Sequence, residues 1–370
     1  MTRPQNQTPP MQSPSLDARS VATRTKPIPS VRSLLALLGV MVWLFGVLAP
    51  APAPGAEIDS VTPRGVALDD GTEAINGIFN QRLREGVANA NGGEEDFAAM
   101  ESGEFCDQER LYAELRKAIF HSFIPRWGLR GYDLDLQLRE LLAGKSLSVS
   151  LEDSIYGDMD YLEGFSLRVK ELSDVVRIDG HLMGLDKIGH FFAEGWEYFE
   201  RTREEGETLE EVMEWGGRQE AGRFGYLTTG VYSFADLTAN FHGWRFWNQI
   251  LGTRDDPLKG LFANLFAEPY VECEVRLMAS LRHRKIVRVW HLSRPFDLSE
   301  FVDGAWDEGI NCNSYADLTI GDKINTRIDE VFPGFSCPVD PKECVAARER
   351  YGQLADNLLH PRCLTATAGT

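Results

Sequence analysis

"GLDKIGHFFAEGWEYFE", residues 184–200, sets Asp186, His190 and Glu194 four apart among large apolar side chains. On an α-helix at about 100° per residue from Asp186, His190 falls near 40°, Glu194 near 80° and Glu197 near 20°. Leu185, Ile188, Phe192, Trp196 and Phe199 fall between about 200° and 280° on the same wheel. The spacing predicts a helix with an apolar stripe for docking on a core and a separate polar stripe. Asp, His and Glu on adjacent turns converge well enough to bind a divalent metal or share a proton. The same i,i+4 spacing also suits an ordinary hydrogen-bonded flank. Neither His-Glu-x-x-His nor Glu-x-x-His occurs in the chain, so zincin and di-iron carboxylate patterns are unsupported.

A second stretch, "GVYSFADLTANFHGWRFW", residues 230–247, puts Asp236 and Asn240 on one helical face. Gly243, between aromatic residues, costs helix stability unless it admits another backbone at close range. Packed against the first helix, Asp236 and Asn240 face His190, and buried polar groups at such a contact must be hydrogen-bonded. The pair Asp186-Lys187-x-x-His190-Phe191 and Ser233-x-x-Asp236-x-x-x-Asn240-x-x-Gly243 resembles the signature of the VanZ-like family and related small envelope proteins. There, a "DKxxHF" helix is followed by a "SxxDxxxNxxG" helix. The resemblance spans about 65 of the 370 residues and implies a bacterial envelope setting with a polar cluster between paired helices. It departs from the family's multi-spanning membrane character, because Arg201, Arg203 and Glu204 interrupt the helices and suit folding in water.

Upstream lies a polar leader, then the apolar run "LLALLGVMVWLFGVLA", residues 34–49, then "PAPAPGAE" with candidate signal-peptidase sites near Ala53 or Ala56. The run is shorter than the roughly 20 residues of a bilayer span, so both a cleaved signal and an uncleaved anchor are read here. The 33-residue leader before the run favours the anchor, whereas a start at Val31 would leave the short basic region of a signal peptide. No cysteine stands directly after the run to carry a lipoprotein anchor. Residues 1–55 carry five Lys/Arg and one Asp against a total of −18, so the body is strongly acidic. That balance fits export and excludes a nucleic-acid binder, which needs Lys and Arg for phosphate. An envelope protein or a lipid surface is the expected partner; oligomeric state is not read.

All six cysteines follow the leader, and an even count in an exported chain predicts disulfides. The expected pairs are Cys337 with Cys344, Cys273 with Cys312, and Cys106 with Cys363. Helices are expected from Thr72 to Ala90, from Asp107 as cap to about Phe123 with Pro125 as stop, and after the capping box of Thr208 and Glu211. Another should run from about Ser233 to Ile250, stopped by Gly252. Strand patterns occupy residues 145–156 and "DVVRIDGHLMG". The fold class is mainly α with a few short strands. A leader (1–56) precedes a mostly helical domain (57–252) and an irregular, disulfide-braced C-terminal region (253–370) on the same domain.

Weaker features are a calcium-like loop at Asp158, Asp160 and Glu163, which lacks EF-hand spacing, and a Cys312 thiol whose nearest histidine in sequence is His291. The basic run Arg282 to Arg288 suits local acids or anionic headgroups. Trp196, Trp244 and Trp247 are read as core. The expected special site is Asp186, Lys187, His190, Ser233, Asp236 and Asn240. As a scaffold, this cluster fixes the helix pair and function lies in a partner surface. As an enzyme site, Asp186, His190 and Asp236 hold a divalent metal or act as acid and base on an envelope substrate, with Glu194 and His242 as further candidate ligands. No cofactor other than such a metal is implied.

Overall fold

The computed structural model describes residues 57–92, 106–119, 123–126, 129–169, 172–279 and 284–367. The leader with its apolar run lies outside these residues, as do Arg282 and His283 of the basic run. Among the described residues, no helix is long and apolar enough to cross a membrane.

Helix Thr72–Asn91 buries Ile75, Phe79, Leu83 and Val87, one side chain per turn, and packs on helix Gln108–Ile119. Asp107 caps the second helix, its Oδ1 accepting the Arg110 N–H. That helix is described to Ile119, and Phe123–Arg126, with Pro125 inside it, is a strand paired with Leu129–Tyr132 rather than a continuation of the helix. "VVRIDGHLMG" is two strands rather than one. Asp179 and Gly180 both take positive φ (48° and 80°), the geometry of a two-residue hairpin turn. Val175–Ile178 then pairs antiparallel with His181–Gly184. Of residues 145–156, only Ser146–Leu147 is strand, because turns take over from Leu151.

The hairpin delivers the chain to a helical segment over residues 186–205. It alternates α (Asp186–Gly189, Gly195–Glu200) with π (His190–Glu194, Arg201–Glu205). The capping box of Thr208 and Glu211 is made in both directions and starts helix Leu209–Gln219.

Helix Phe234–Gln249 is the centre of the molecule. Its N-cap is Ser233, and every residue from Ala235 to Gln249 is buried. A helix packed on all sides needs no amphipathic stripe, so its polar residues must find partners inside. It crosses the 186–205 segment where Gly195 meets Gly243: a Cβ on Gly195 would stand 2.5 Å from the Gly243 Cα. Close backbone approach is therefore what both glycines permit.

Strand Val231–Ser233 pairs with Asn313–Tyr315, which brings the loop before Asn313 to the N-terminus of the central helix. The C-terminal region is more regular than its prolines suggest. It holds a hairpin of two nine-residue strands, Val271–Ala279 with Arg284–Leu292, and helices Leu318–Val331 and Pro341–Tyr351. The fold is mainly α, with small antiparallel sheets and a C-terminal region braced by disulfides.

All six cysteines are paired, but none as expected: Cys106–Cys273, Cys312–Cys337 and Cys344–Cys363. The short loop from Cys337 to Cys344 starts helix Pro341–Tyr351, and Cys344 faces inward to Cys363 on the neighbouring turn. Three disulfides belong to an oxidising, exported setting.

Candidate functional site

The site forms where the hairpin exit, the central helix N-terminus and the loop at Glu308 converge. Ser233 Oγ accepts the Asp236 N–H and donates to Glu308 Oε1, each at 3.2 Å. This cap fixes Asp236 in the first helical turn, where the macrodipole favours a negative charge.

Lys187 is wholly buried between these elements. Its Nζ lies 2.8 Å from Asp186 Oδ2, 2.5 Å from Asp236 Oδ1 and 2.6 Å from Glu308 Oε1. The Asp236 contact is an ion pair at an angle too poor for a hydrogen bond. Asn313 Nδ2 donates to the other Glu308 oxygen at 2.7 Å. Burial alone would lower the Lys187 pKa, but Asp186, Asp236, Glu308 and Glu57 together push it well above the ordinary lysine value.

His190 touches the same group. Its Nε2 is 3.2 Å from Asp236 Oδ2 and its Nδ1 is 3.0 Å from Asn240 Oδ1. The Asn240 amide also bonds Tyr198, which orients its NH₂ away from the ring and its carbonyl toward His190. Nδ1–H therefore donates to Asn240. That leaves Nε2 facing Asp236 Oδ2. His190 alone among Asp186, Lys187, His190, Asp236 and Glu308 reaches solvent appreciably, its side chain 17 % exposed.

The carboxyls respond to burial in different ways. Burial opposes the Asp236 charge, yet His190 and Lys187 outweigh it and hold the group below the usual carboxylate range. For Asp186 and Glu308, burial prevails over the pull of Lys187 and raises both. Glu57 is pushed well above its usual value by burial and by Asp236 and Glu308. Burial, Asp236 and Glu57 do the same to Glu220. Both accept hydrogen bonds at the edge of the group, Glu57 from Thr229 Oγ1 (2.7 Å) and Glu220 from the Ser233 N–H (3.1 Å).

Asp186, Lys187, His190, Ser233, Asp236 and Asn240 come together as their motifs suggested. Asp186, His190 and Asp236 each offer one ligand atom, all within 4.8 Å of one another. Glu194 is outside this set. It closes the π turn, whose wider winding takes it off the Asp186–His190 face, and it lies near enough to Glu197 to help raise that group's pKa, after burial.

His242 is also elsewhere. It sits on the C-terminal side of the central helix, its Nδ1 2.6 Å from an Arg245 nitrogen and its Nε2 2.9 Å from Tyr351 Oη. Arginine has no acceptor, so Nδ1 accepts from it and Nε2–H donates to Tyr351, which donates to Asp303. Burial and then Arg245 hold the His242 pKa well below the usual value.

The remaining candidates have structural partners. Glu163 pairs with Lys323 and accepts the Asp160 N–H. Cys312 is in a disulfide, and Trp196, Trp244 and Trp247 are core. Glu57, Glu220 and Glu308 carry no local motif that marks them as members of the site. Glu308 meets Lys187 across 121 residues of chain, and no local spacing signals such a contact.

The buried histidines carry a pH prediction. Burial and Arg362 push His360 down to about 4, and its Nδ1 must stay unprotonated to accept the Arg362 N–H. Both His242 and His360 stay neutral in the fold while the unfolded chain gains protons below about pH 6.5. Their share of stability is complete above that pH and falls as pH drops toward 4. Chemical unfolding at several pH values should show the His242→Gln/His360→Asn variant losing about 1–2 kcal/mol less than wild type across this window, after discounting His360's partial exposure. An unchanged slope would contradict the assignment.

No protein-family model, curated protein or solved structure matches the chain.

Proposed function

We propose that this is an exported envelope protein with a divalent-cation centre formed by Asp186, His190 and Asp236. The observation that carries this reading is the division of the carboxylate oxygens. Lys187 takes Asp186 Oδ2 and Asp236 Oδ1, leaving Asp186 Oδ1 buried with no hydrogen-bond partner and Asp236 Oδ2 facing His190 Nε2. The 3.2 Å separation of Nε2 and Oδ2 is close to the roughly 3.3 Å ligand spacing of a tetrahedral site with bonds near 2 Å.

Formal charge supports the same reading. Asp186, Asp236 and Glu308 outnumber Lys187 by two negative charges, which one divalent ion offsets where an uncompensated buried charge is costly. One nitrogen and two carboxylate donors suit Zn²⁺ or Mn²⁺. Asp186, His190 and Asp236 would hold such an ion, which would supply an activated water for hydrolysis at neutral pH. In that role Asn240 orients the His190 ring, Lys187 holds both aspartates in place, and His190 marks the solvent side.

The test is elemental analysis and calorimetric titration with Zn²⁺ and Mn²⁺. Wild type should take up one equivalent. Asp186→Asn and His190→Ala should each weaken binding roughly 100-fold or more, the upper end of what even an indirect perturbation of a metal site costs. A wild type that takes up neither metal would overturn the reading.

A scaffold is the second reading, favoured because Lys187 already ties three segments together and both His190 ring nitrogens have neighbours. It makes the cluster a structural clasp and places function on a partner surface. Under it, His190→Ala costs about 1–3 kcal/mol of stability through broken buried hydrogen bonds, with no metal to lose.

A further inference from the structure

A short chain of side chains stands behind the solvent edge of the candidate centre. His190 Nδ1 lies 3.0 Å from Asn240 Oδ1, and the Asn240 amide nitrogen donates to the Tyr198 hydroxyl. An asparagine amide carries an acceptor at one end and donors at the other. With Tyr198 engaging the NH₂ end, the carbonyl is left for the ring, and the ring nitrogen that meets it must carry a hydrogen. Nε2 is then the nitrogen beside Asp236 Oδ2.

Two local features bring Tyr198 to this place. Eight residues along a regular α-helix, Tyr198 would stand about 80° around from His190. The π turn at His190–Glu194 takes up one further residue, about 100° of winding, and returns Tyr198 to within about 20° of the His190 direction. The contact of Gly195 with Gly243 does the rest. Tyr198 is three residues past the first glycine and Asn240 three before the second, so the crossing sets them side by side.

The hydroxyl also has room made for it. Tyr198 is 1 % exposed, and its ring tip reaches helix Leu209–Gln219 at Gly216. A Cβ at Gly216 would overlap the hydroxyl oxygen and stand 2.5 Å from Cζ. Glycine inside a helix costs stability, and here its bare backbone admits one polar atom. Phenylalanine would fill the rest of the space equally well.

We propose that Tyr198 is a positioning residue: through Asn240 it keeps a hydrogen on His190 Nδ1 and so commits Nε2 to the cation. The second half presupposes the divalent-cation centre; the choice of nitrogen does not. The ring nitrogen that binds a metal is set by the hydrogen bond of the other, and loss of such an outer partner costs about 10–100-fold in affinity.

The test labels the full chain with ¹⁵N-histidine and records long-range ¹H–¹⁵N spectra without metal near pH 9, well above the ordinary histidine value of about 6.5. His190→Ala identifies the His190 signals. Wild type should show a protonated Nδ1 and a bare Nε2. In Tyr198→Phe the amide is free to turn, so His190 should populate both tautomers, and calorimetric Zn²⁺ affinity should fall about 10–100-fold. Gly216→Ala, which pushes the hydroxyl aside, should reproduce both effects with the tyrosine still present. Tyr112→Phe is the comparison: its ring is equally buried, and its hydroxyl donates to Trp247 O away from the cluster. It should keep the wild-type tautomer and affinity.

A wild-type His190 protonated on Nε2 would overturn the proposal, because the ring would then donate to Asp236 and the amide would be reversed. So would a Tyr198→Phe variant that retains Nδ1–H as its single tautomer, or one whose Zn²⁺ affinity changes no more than that of Tyr112→Phe; the hydroxyl would then serve packing alone. A wild type that binds no Zn²⁺ would overturn the commitment of Nε2 to a cation, while the spectra still decide which nitrogen Tyr198 sets.

Discussion

Lys187→Met is expected to lose roughly 3–5 kcal/mol of unfolding free energy, the range for removing one partner from a buried ion cluster. The side chain is fully enclosed and stands within 2.8 Å of three carboxylates from three separate segments. Methionine fills a similar volume, so packing is nearly conserved and the loss reports electrostatics. Without the ammonium, Asp186, Asp236 and Glu308 face one another in a dry interior, and the fold must protonate them or open. Adding Asp186→Asn and Glu308→Gln to the variant removes that repulsion and should restore at least half of the loss. Denaturant unfolding of the three proteins decides the matter. A single-variant loss below about 1 kcal/mol would mean that water already reaches the cluster and screens it, as at a surface ion pair.

Gly243→Ala is expected to cost about 3 kcal/mol, the upper end of the usual overpacking range. A methyl there meets Phe191 C at 2.7 Å and Gly195 Cα at 2.9 Å, and nearer still the Phe191 carbonyl oxygen. These are backbone atoms of a second helix and cannot turn aside as a side chain can. Gly195→Ala strikes the same contact from the other side. The double variant should therefore cost less than the two losses added, because both push the same pair of helices apart. Gly189→Ala supplies the contrast. A methyl there meets nothing within 4 Å, and alanine gains helix propensity, so the variant should be neutral or up to about 1 kcal/mol more stable. Equal losses at Gly189 and Gly243 would show that helix flexibility, not close approach, is what these glycines serve. Separating the helices should also pull His190 from Asp236, which links this packing contact to the site.

Some of this architecture is written in local sequence. The capping box at Thr208 and Glu211, the Ser233 cap and the one-per-turn spacing of Ile75, Phe79, Leu83 and Val87 act between residues at most four apart. Short-range sterics and hydrogen bonding suffice for them. Gly243 between aromatics was legible as a point of close approach for the same reason, since glycine's cost inside a helix demands a compensating contact. The motif spacing likewise placed Asp186, Lys187, His190, Asp236 and Asn240 on facing helices.

What only the tertiary structure decided is what depends on distant chain. The disulfide partners follow from which loops meet: Cys106 bonds Cys273 across 167 residues, and no local spacing signals that pair. The strand at Phe123–Arg126 and the hairpin after Val271 are set by their pairing partners more than by their own residues. The π turn at His190–Glu194 removes Glu194 from the site, although the α-helical wheel had placed it there. Glu57, Glu220 and Glu308 arrive from far along the chain, and with them the charge of the site changes. A polar stripe of Asp, Lys and His becomes a group of carboxyls around one buried ammonium. By itself the sequence determined that two helices would carry a polar contact. The enclosure that turns that contact into a charged, desolvated centre came from folding, because desolvation is a property of everything packed around a group and not of its neighbours in the chain.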